Sequence, residues 1–240
     1  MTGIFCAIDA ANMQDAQDLV RKLSRVDIGI KIGLELFVAE GPFCVERLRE
    51  LKGGDTPVFL DLKLHDIPNT VAGAVRAAVR CRADFITIHT SGGAAMMRAA
   101  IDAAQDAAVQ FNCPLPALLG VTVLTHMDDS DLDSVGQQKP AGDQVLRLAQ
   151  LADSAGLQGV ICSPLEIASL RAKLSSRMKL VVPGIRPEGS AAGDQKRTLT
   201  PQAAAELGAD YLVIGRPITQ SSDPAKTAQD ILDSLKRKAA

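Results

Sequence analysis

The sequence predicts an α/β protein folded as a (β/α)8 (TIM) barrel, with residues 1–240 in a single domain. Apolar strand-like runs alternate with segments of helical period along the whole chain, about eight times in all. These runs are apolar on both faces, which is typical of parallel strands covered by helices. A doubly wound open sheet is the alternative, but no GxGxxG sequence follows the first strand.

The predicted elements alternate in order along the chain. Short apolar runs predict strands at residues 4–9, 28–33, 57–64, 84–90, 116–125, 159–163, 179–185 and 211–218. Helical periodicity predicts helices at residues 13–24, 35–51, 69–81, 94–111, 143–156, 164–174, 200–208 and 225–239. After the third strand, Pro68 and Asn69 are typical of a helix start. No linker or low-complexity segment suggests a second domain.

Composition and charge argue against several classes of protein. The formal net charge is −2, from 26 basic and 28 acidic residues, which suggests neither a nucleic-acid nor a membrane partner. No apolar run reaches the roughly 18 residues of a membrane helix, and no signal-peptide pattern is present. The five cysteines are scattered without CxxC spacing, so we expect free thiols in a reducing cytoplasm.

The run PVFLDLKLHDIPNT, residues 57–70, carries the strongest functional signal. Asp61 and Lys63 are the two charged residues of an otherwise apolar strand, and strand alternation puts both on one face. Burying such charges is costly unless they are paired. The pair therefore indicates either catalysis or a structural ion pair, and Asp66 follows just past the strand.

Polar residues stand at or near the C-terminal ends of most predicted strands, where barrel enzymes carry their active sites. One such residue is easily a chance occurrence, but this many on one rim predict an active site. The residues are Asp9, Lys31, Asp61, Lys63, His89, Thr122, Thr125, Gly184, Arg186, Gly215 and Arg216.

The loops after the seventh and eighth strands each join a glycine to an arginine, in VVPGIRP and VIGRPI. Barrels often bind phosphate at these two loops, with backbone N–H groups and a guanidinium. We therefore predict a phosphate site that includes Arg186 and Arg216. The alternative is a pair of strand-ending turns with solvated arginines.

Lys31, Asp61, Lys63 and Asp66 are expected to form an array of alternating charge. Each carboxylate in such an array favours the protonated form of its lysine neighbours. A protonated lysine that faces a reacting carbon donates a proton and stabilises developing negative charge. A set of salt bridges at the barrel mouth is the structural alternative.

The chain shows no pattern typical of a metal or cofactor site. His65, His89 and His126 are isolated, and no HxH, HExxH or CxxC spacing supports zinc. We therefore expect no metal and no cofactor.

Beyond these patterns, DLKLHDIPNT resembles the DxKxxDIPxT signature of the orotidine 5′-phosphate decarboxylase family, in its bacterial branch. The resemblance covers nearly the whole chain, and every signature position agrees. It includes AID, KIG, HTSGG, GVTVLT, PGIRP with a downstream Gln195, and GRPI. The stretch between Arg186 and Thr200 fits that family's phosphate-closing loop.

The resemblance implies decarboxylation of orotidine 5′-monophosphate (OMP) to uridine 5′-monophosphate (UMP), the last step of de novo pyrimidine nucleotide synthesis, without cofactor or metal. It implies Lys63, Asp61, Lys31 and Asp66 as catalytic residues, with Lys63 as the proton donor. It further implies a homodimer with shared active sites, in which Asp66 and Thr70 reach the other subunit. The implied substrate-binding residues are Asp9, Lys31, Asp61, Asp66, Ile67, Thr70, Thr125, Pro183, Arg186, Gln195, Gly215 and Arg216.

Two alternatives stay open on the sequence. One is a sugar-phosphate decarboxylase or a metal-dependent epimerase on a related phosphate-binding barrel; DIPNT, the paired threonines and Gln195 favour the nucleotide. The other is a non-catalytic sensor of a phosphate ligand. The Lys63–Asp61 pair argues against a sensor, which has no use for a proton donor.

Overall fold

The protein is described by a computed structural model that covers residues 2–187 and 198–236. Eight parallel strands close into a barrel in chain order, and the last strand pairs with the first. The predicted (β/α)8 barrel is therefore confirmed. The strands are β1 (Gly3–Ile8), β2 (Gly29–Ile32), β3 (Val58–Leu64), β4 (Phe85–His89), β5 (Ala117–Val121), β6 (Gly159–Ile161), β7 (Lys179–Val182) and β8 (Tyr211–Ile214).

Helices cover the outside of the barrel. In chain order they are α1 (Met13–Leu23), α2 (Leu34–Glu40), α3 (Phe43–Lys52), α4 (Pro68–Arg80), α5 (Gly93–Gln110), α6 (Asp129–Ser134), α7 (Ala141–Ala155), α8 (Ile167–Lys173), α9 (Pro201–Glu206), α10 (Arg216–Thr219) and α11 (Pro224–Lys236). Side-chain caps fix several of their starts; the Asn12 side chain, for example, accepts from the Asp15 N–H at the start of α1. Among the described residues, none of the helices has the length and apolar character to cross a membrane.

Several predicted boundaries are wrong. The single helix expected at residues 35–51 is two helices, because Gly41 takes a left-handed φ of 67° and Pro42 follows it. The strand expected at 116–125 ends at Val121, and the polar stretch after it holds α6, which starts with a capping box. The strand expected at 211–218 ends at Ile214, and α10 begins at Arg216.

The half of the barrel interior toward the N-terminal ends of the strands, called the lower half here, is packed with aromatic and aliphatic side chains. Phe5 contacts Phe59 and Phe85 edge to face, with ring centroids 5.5 and 5.1 Å away. Gly29 makes room for this packing, because a Cβ there would lie 2.4 Å from a ring carbon of Phe5. This lower half is closed by protein side chains, as expected for a barrel of eight strands.

The upper half of the interior, toward the C-terminal ends of the strands, is polar rather than apolar on three adjacent strands. Strand registers and alternation place Lys31 on β2, Asp61 on β3 and Thr87 on β4, all facing inward. These three residues are each at most 9% exposed. The barrel therefore concentrates its interior polar groups at the C-terminal ends of β2, β3 and β4.

Candidate active site

A cavity of about 250 Å³ opens at the C-terminal mouth of the barrel. Strand ends and the loops that follow them line it, which is where barrel enzymes carry their sites. Its lining brings together ten of the residues named from the sequence: Asp9, Lys31, Asp61, Lys63, Thr125, Pro183, Gly184, Arg186, Gly215 and Arg216.

Four side chains of alternating charge run along one side of this cavity. Asp61 Oδ2 accepts from Lys63 Nζ at 2.8 Å and lies 3.5 Å from Lys31 Nζ. Lys31 Nζ in turn lies 3.6 Å from Asp9 Oδ1. The side chains of Asp61 and Lys31 are only 12% and 11% exposed, whereas that of Asp9 is 64% exposed. The array therefore runs from solvent at Asp9 into the barrel.

Asp61 is a buried carboxylate that keeps its charge. Burial alone would raise its pKa, but the positive charges of Lys31 and Lys63, and hydrogen bonds from Lys63 and Thr87, outweigh burial and lower the pKa. The carboxylate is thus ionised near neutral pH, and its two oxygens are held by different partners. Such a fixed negative charge can orient both ammonium groups.

The backbone of Lys63 is strained. Its φ is 50°, in the left-handed region that residues other than glycine rarely adopt. The register between β3 and β4 shifts here, since Leu60 pairs with Ile86 and Leu64 pairs with Ile88. The bulge leaves the Lys63 ammonium 2.8 Å from Asp61, with its side chain 31% exposed to the cavity.

Two guanidinium groups, which follow β7 and β8, also line the cavity. Arg186 is half-buried, and burial together with the charge of nearby Arg216 lowers its pKa. Gly184, with a φ of 77°, and Gly215 bring backbone close to the same space. Two like charges held together are suited to binding an anion with more than one negative charge.

The loop after β7 returns to the strand end from which it left. The Arg186 N–H donates to the Leu199 carbonyl at 2.9 Å, in a bridge between Ile185 and Leu199. Gln195, predicted as a substrate-binding residue, lies outside the described residues.

Apolar side chains form a further part of the cavity wall. Sequence reasoning did not name them, although strand alternation alone places several of them inside the barrel. An apolar wall that carries a few polar groups is typical of a binding site for a small molecule. The wall consists of Ala7, Phe59, Val121, Val123, Leu124, Ile161 and Val213.

Asp66, Ile67 and Thr70 do not line the cavity of their own chain. All three are exposed, at the end of β3 and the start of α4, and Ile67 is 66% exposed. Asp66 therefore stands apart from the charge array of the same chain.

Two histidines pack together beside the lysine of the array. The rings of His65 and His89 are 5.1 Å apart, and His65 is exposed. Burial, with the charges of His65 and Lys63, lowers the pKa of His89 to about 4, so its ring is neutral at physiological pH. Over residues 2–187 and 198–236, no three His, Cys, Asp or Glu side chains come together as a metal site.

Comparison with sequences of known proteins points to one family. A sequence model of the Orotidine 5'-phosphate decarboxylase / HUMPS family matches residues 2–231. The chain is 50% identical to an orotidine 5'-phosphate decarboxylase of Idiomarina loihiensis over 97% of both chains. It is 45% identical to one of Escherichia coli, over 98% of this chain and 94% of the relative.

Solved structures of similar proteins agree with these sequence matches. The barrel is similar to the crystal structure of orotidine 5'-phosphate decarboxylase from Lactobacillus acidophilus, with a TM-score of 0.84 and 34% identity over 98% of this chain and 99% of that one. It is also similar to the enzyme of the same name from Pyrococcus horikoshii, with a TM-score of 0.77 and 25% identity over 97% and 99% of the two chains.

Proposed function

The chain belongs to the Orotidine 5'-phosphate decarboxylase / HUMPS family, and we propose that it converts OMP to UMP, the last step of de novo pyrimidine nucleotide synthesis. One observation carries the proposal beyond family membership. A single cavity is lined by a lysine–carboxylate array from β2 and β3 and by two arginines that follow β7 and β8. A nucleotide with a charged reacting group and a distant phosphate suits this division of charge.

The two arginines hold the 5′-phosphate in this proposal. Guanidinium groups bind phosphate oxygens in pairs, and glycine backbones at Gly184 and Gly215 allow a close approach. Burial, together with the charge of Arg216, lowers the pKa of Arg186. A phosphate dianion between the two guanidinium groups would relieve their repulsion, which supports the assignment. Gln195 and the 186–200 loop are proposed to complete the phosphate grip.

The array supplies the chemistry at the other end. Loss of CO₂ breaks the bond between C6 of the pyrimidine ring and its carboxylate, and the electron pair stays on C6. Lys63 stabilises this developing charge and then transfers a proton from Nζ to C6, which completes UMP. The apolar wall keeps water away, so that the ammonium charge acts at full strength.

Asp61, Lys31 and Asp9 position the remaining groups. Asp61 stands beside the substrate carboxylate and holds Lys63, which it contacts at 2.8 Å. Lys31 holds Asp61 and reaches the ribose, and the more exposed Asp9 binds ribose hydroxyls. Thr125 and Pro183 line the cavity between these ends and complete its substrate contacts.

We further propose a homodimer with shared active sites. Asp66, Ile67 and Thr70 are exposed, and none of the three lines the described cavity of its own chain. Leu34, which follows β2 at the same rim, is 52% exposed, and Ile67 is 66% exposed. A second subunit seated on this apolar rim would bring Asp66 and Thr70 to a neighbouring cavity.

A reducing cytoplasm is the proposed location. The five cysteines are all free, and three of them are buried. Burial raises the pKa of Cys6 and of Cys44 to about 12, which keeps both thiols protonated and unreactive. Free thiols of this kind are usual in proteins of a reducing compartment.

The proposed activity is tested by following the ultraviolet absorbance of OMP as it is converted. The wild-type protein is expected to consume OMP after exhaustive dialysis against EDTA. Activity that is lost to EDTA and restored by a divalent ion would favour the metal-dependent epimerase class instead. No consumption of OMP under any condition would overturn the proposal.

The proton donor is tested by Lys63→Ala. We expect turnover to fall by about 10² or more, which general acid catalysis alone is worth, while UMP binding is largely kept. Lys226→Ala is the matched control, because Lys226 pairs with Asp230 on an exposed helix face. Turnover by Lys63→Ala within about tenfold of wild type would contradict the assignment.

A further inference from the structure

A buried threonine lies directly beneath the charge array. Thr87, on β4, has no exposed surface and is not among the residues that line the cavity. Its Oγ1 donates to Asp61 Oδ1 at 2.9 Å and accepts from the Lys63 N–H at 2.9 Å. This one hydroxyl therefore contacts both members of the central pair without reaching the substrate side.

The direction of these two hydrogen bonds is fixed by chemistry. A backbone N–H can only donate, so the Thr87 oxygen accepts from Lys63. An ionised carboxylate can only accept, so the single Thr87 proton points to Asp61. The resulting chain, from N–H to hydroxyl to carboxylate, polarises in one direction, and each bond strengthens the other.

The same hydroxyl also supports the strained backbone of Lys63. Between Leu60 and Leu64, three residues of β3 stand opposite one residue of β4, so the ladder is interrupted. A buried N–H in such a bulge needs another acceptor. Thr87 is that acceptor, and it is the residue of β4 that faces the bulge.

We propose that Thr87 is a positioning residue for the decarboxylation: its hydroxyl fixes the Asp61 carboxylate and the left-handed Lys63 backbone so that the Lys63 ammonium faces the reacting carbon. Lys31 holds Asp61 from β2, and Thr87 holds it from β4, so the carboxylate is fixed from both neighbouring strands. This inference rests on the proposed function.

Other titratable groups lie around Asp61. Lys31 approaches from β2 and Lys63 from β3 itself, and Asp9 acts through Lys31 from the end of β1. On β4, His89 feels the charge of Asp61. Thr87 has no titratable group, so replacing it changes a hydrogen bond and no charge.

The test compares two substitutions at this one position. Thr87→Val removes the hydroxyl at nearly constant volume, and Thr87→Ser keeps it. We expect Thr87→Val to lower kcat for OMP by about tenfold or more, with KM changed by less than about threefold, as for loss of a hydrogen bond to a charged group. Thr87→Ser is expected to stay within about threefold of wild type in both constants.

A second readout does not depend on turnover. In the ligand-free protein labelled with ¹³C-aspartate, the pKa of the Asp61 carboxyl, assigned with Asp61→Asn, is expected to rise in Thr87→Val and to be unchanged in Thr87→Ser. Thr90→Val is the matched control: Thr90 is equally buried, but its hydroxyl donates to the Val121 carbonyl at 2.7 Å. It is expected to leave the Asp61 titration as in wild type.

The outcomes separate the proposals. If either kcat or the Asp61 titration is the same in Thr87→Val as in wild type, the positioning role is overturned. If Thr87→Val does not fold, Thr87→Ala, which is smaller and cannot clash, takes its place in both measurements. A wild-type protein that does not consume OMP overturns the proposed function, while the titration still tests the hold of Thr87 on Asp61.

Discussion

At the scale of single residues, the candidate site depends on groups in costly states. Asp61 is charged although it is nearly buried, and its cost is offset by two lysines and a threonine. Lys63 adopts a left-handed φ of 50°. Strain of this kind persists only where the surroundings fix it, and here the surroundings are β2 and β4. The energy held in this arrangement positions an ammonium group at the reacting carbon in the proposed mechanism.

The neutral histidine beside the array gives a prediction for stability. His89 has a pKa of about 4 when folded and 6.5 as its ordinary value, so between these values the unfolded chain binds more protons. Stability therefore falls as the pH drops from about 6.5 towards 4. In His89→Gln, we expect this fall to be smaller. Urea unfolding of both proteins at pH 7.5 and pH 5 measures it, and equal falls in the two proteins would contradict the prediction.

The sequence could show some of these residues and not others. Alternation in an apolar strand is enough to put Asp61 and Lys63 on one face, and the structure has them 2.8 Å apart. Thr87 was not identified, because threonine is common in strands and its partners come from another strand. Its position was the available clue, because it lies two residues before His89 on β4, the strand that pairs with β3.

At the scale of elements, two partly buried arginine–aspartate pairs connect helices to the N-terminal ends of strands. Arg171 of α8 donates to Asp210 and to the Gly208 carbonyl, and Asp210 also accepts from the Leu180 N–H of β7. The pair of Arg49 and Asp84 repeats this arrangement between α3, β3 and β4. The same arrangement of an arginine, an aspartate and a strand N–H thus occurs in both halves of the barrel, far from the proposed chemistry.

These arginine–aspartate pairs are expected to stabilise the fold without affecting catalysis. Asp210→Ala removes the partner of a partly buried arginine and of a strand N–H, so we expect it to lower the free energy of unfolding by about 1–3 kcal/mol. Values of kcat and KM are expected to stay near those of wild type. Denaturant unfolding measures the first effect, and the OMP assay the second.

Asp230→Ala is the matched control for this prediction. Asp230 pairs with Lys226 on the exposed face of α11, and such a solvent-exposed pair contributes little to stability. If the free energy of unfolding changed equally in Asp210→Ala and Asp230→Ala, the Arg171–Asp210 pair would not be a stabilising contact.

Element types were predictable, and element boundaries were less so. Eight strand–helix units follow from apolar runs and helical period, because both patterns are local. Gly41 and Pro42 are residues that often end a helix, but the helical spacing of apolar residues continues across them. One helix was therefore predicted where the structure has two. The end of β8 was misplaced because GRPI is apolar enough to extend a strand, while Pro217 at the second position suits a helix start.

At the scale of the whole molecule, the proposed mechanism assigns proton transfer and phosphate binding to different strands of the barrel mouth. Strands β2 and β3 carry the charge array, and the loops after β7 and β8 carry the arginines. Energy from binding a phosphate at one side can close a loop and organise charges at the other. Remote binding of this kind raises kcat as well as affinity.

Arg216→Ala tests this coupling. We expect the fall in kcat/KM for OMP to correspond to about 2–3 kcal/mol, since a charge-assisted contact to phosphate is lost. Arg216→Lys is also expected to have a lower kcat/KM than wild type, because lysine cannot bind phosphate with two hydrogen bonds in a fixed geometry. With the nucleoside that lacks phosphate, added phosphite dianion should partly restore turnover by the wild type. Arg177→Ala, at a 72% exposed side chain that pairs with Asp153, is the control. A kcat/KM within about twofold of wild type in Arg216→Ala would remove the phosphate assignment.

The proposed sharing of active sites makes a prediction that only an assembly of two chains can meet. Lys63 lines the cavity of its own chain, whereas Asp66 lies exposed outside it. Lys63→Ala and Asp66→Ala are each expected to be inactive alone. In a mixed dimer, both defects fall in one site and the other site has neither. After random exchange of subunits, about a quarter of the wild-type sites should therefore be intact.

The control for this experiment uses two residues of one cavity. Lys63→Ala mixed with Asp61→Ala leaves one defect in each site of a mixed dimer, because both side chains act in their own chain, 2.8 Å apart. No activity should return. Subunit exchange is followed with a tag on one variant, so that a failure to mix is recognised. Activity that fails to return in the Lys63→Ala and Asp66→Ala mixture, with exchange demonstrated, would mean that Asp66 does not complete a neighbour's site, and its exposed position would then require another explanation.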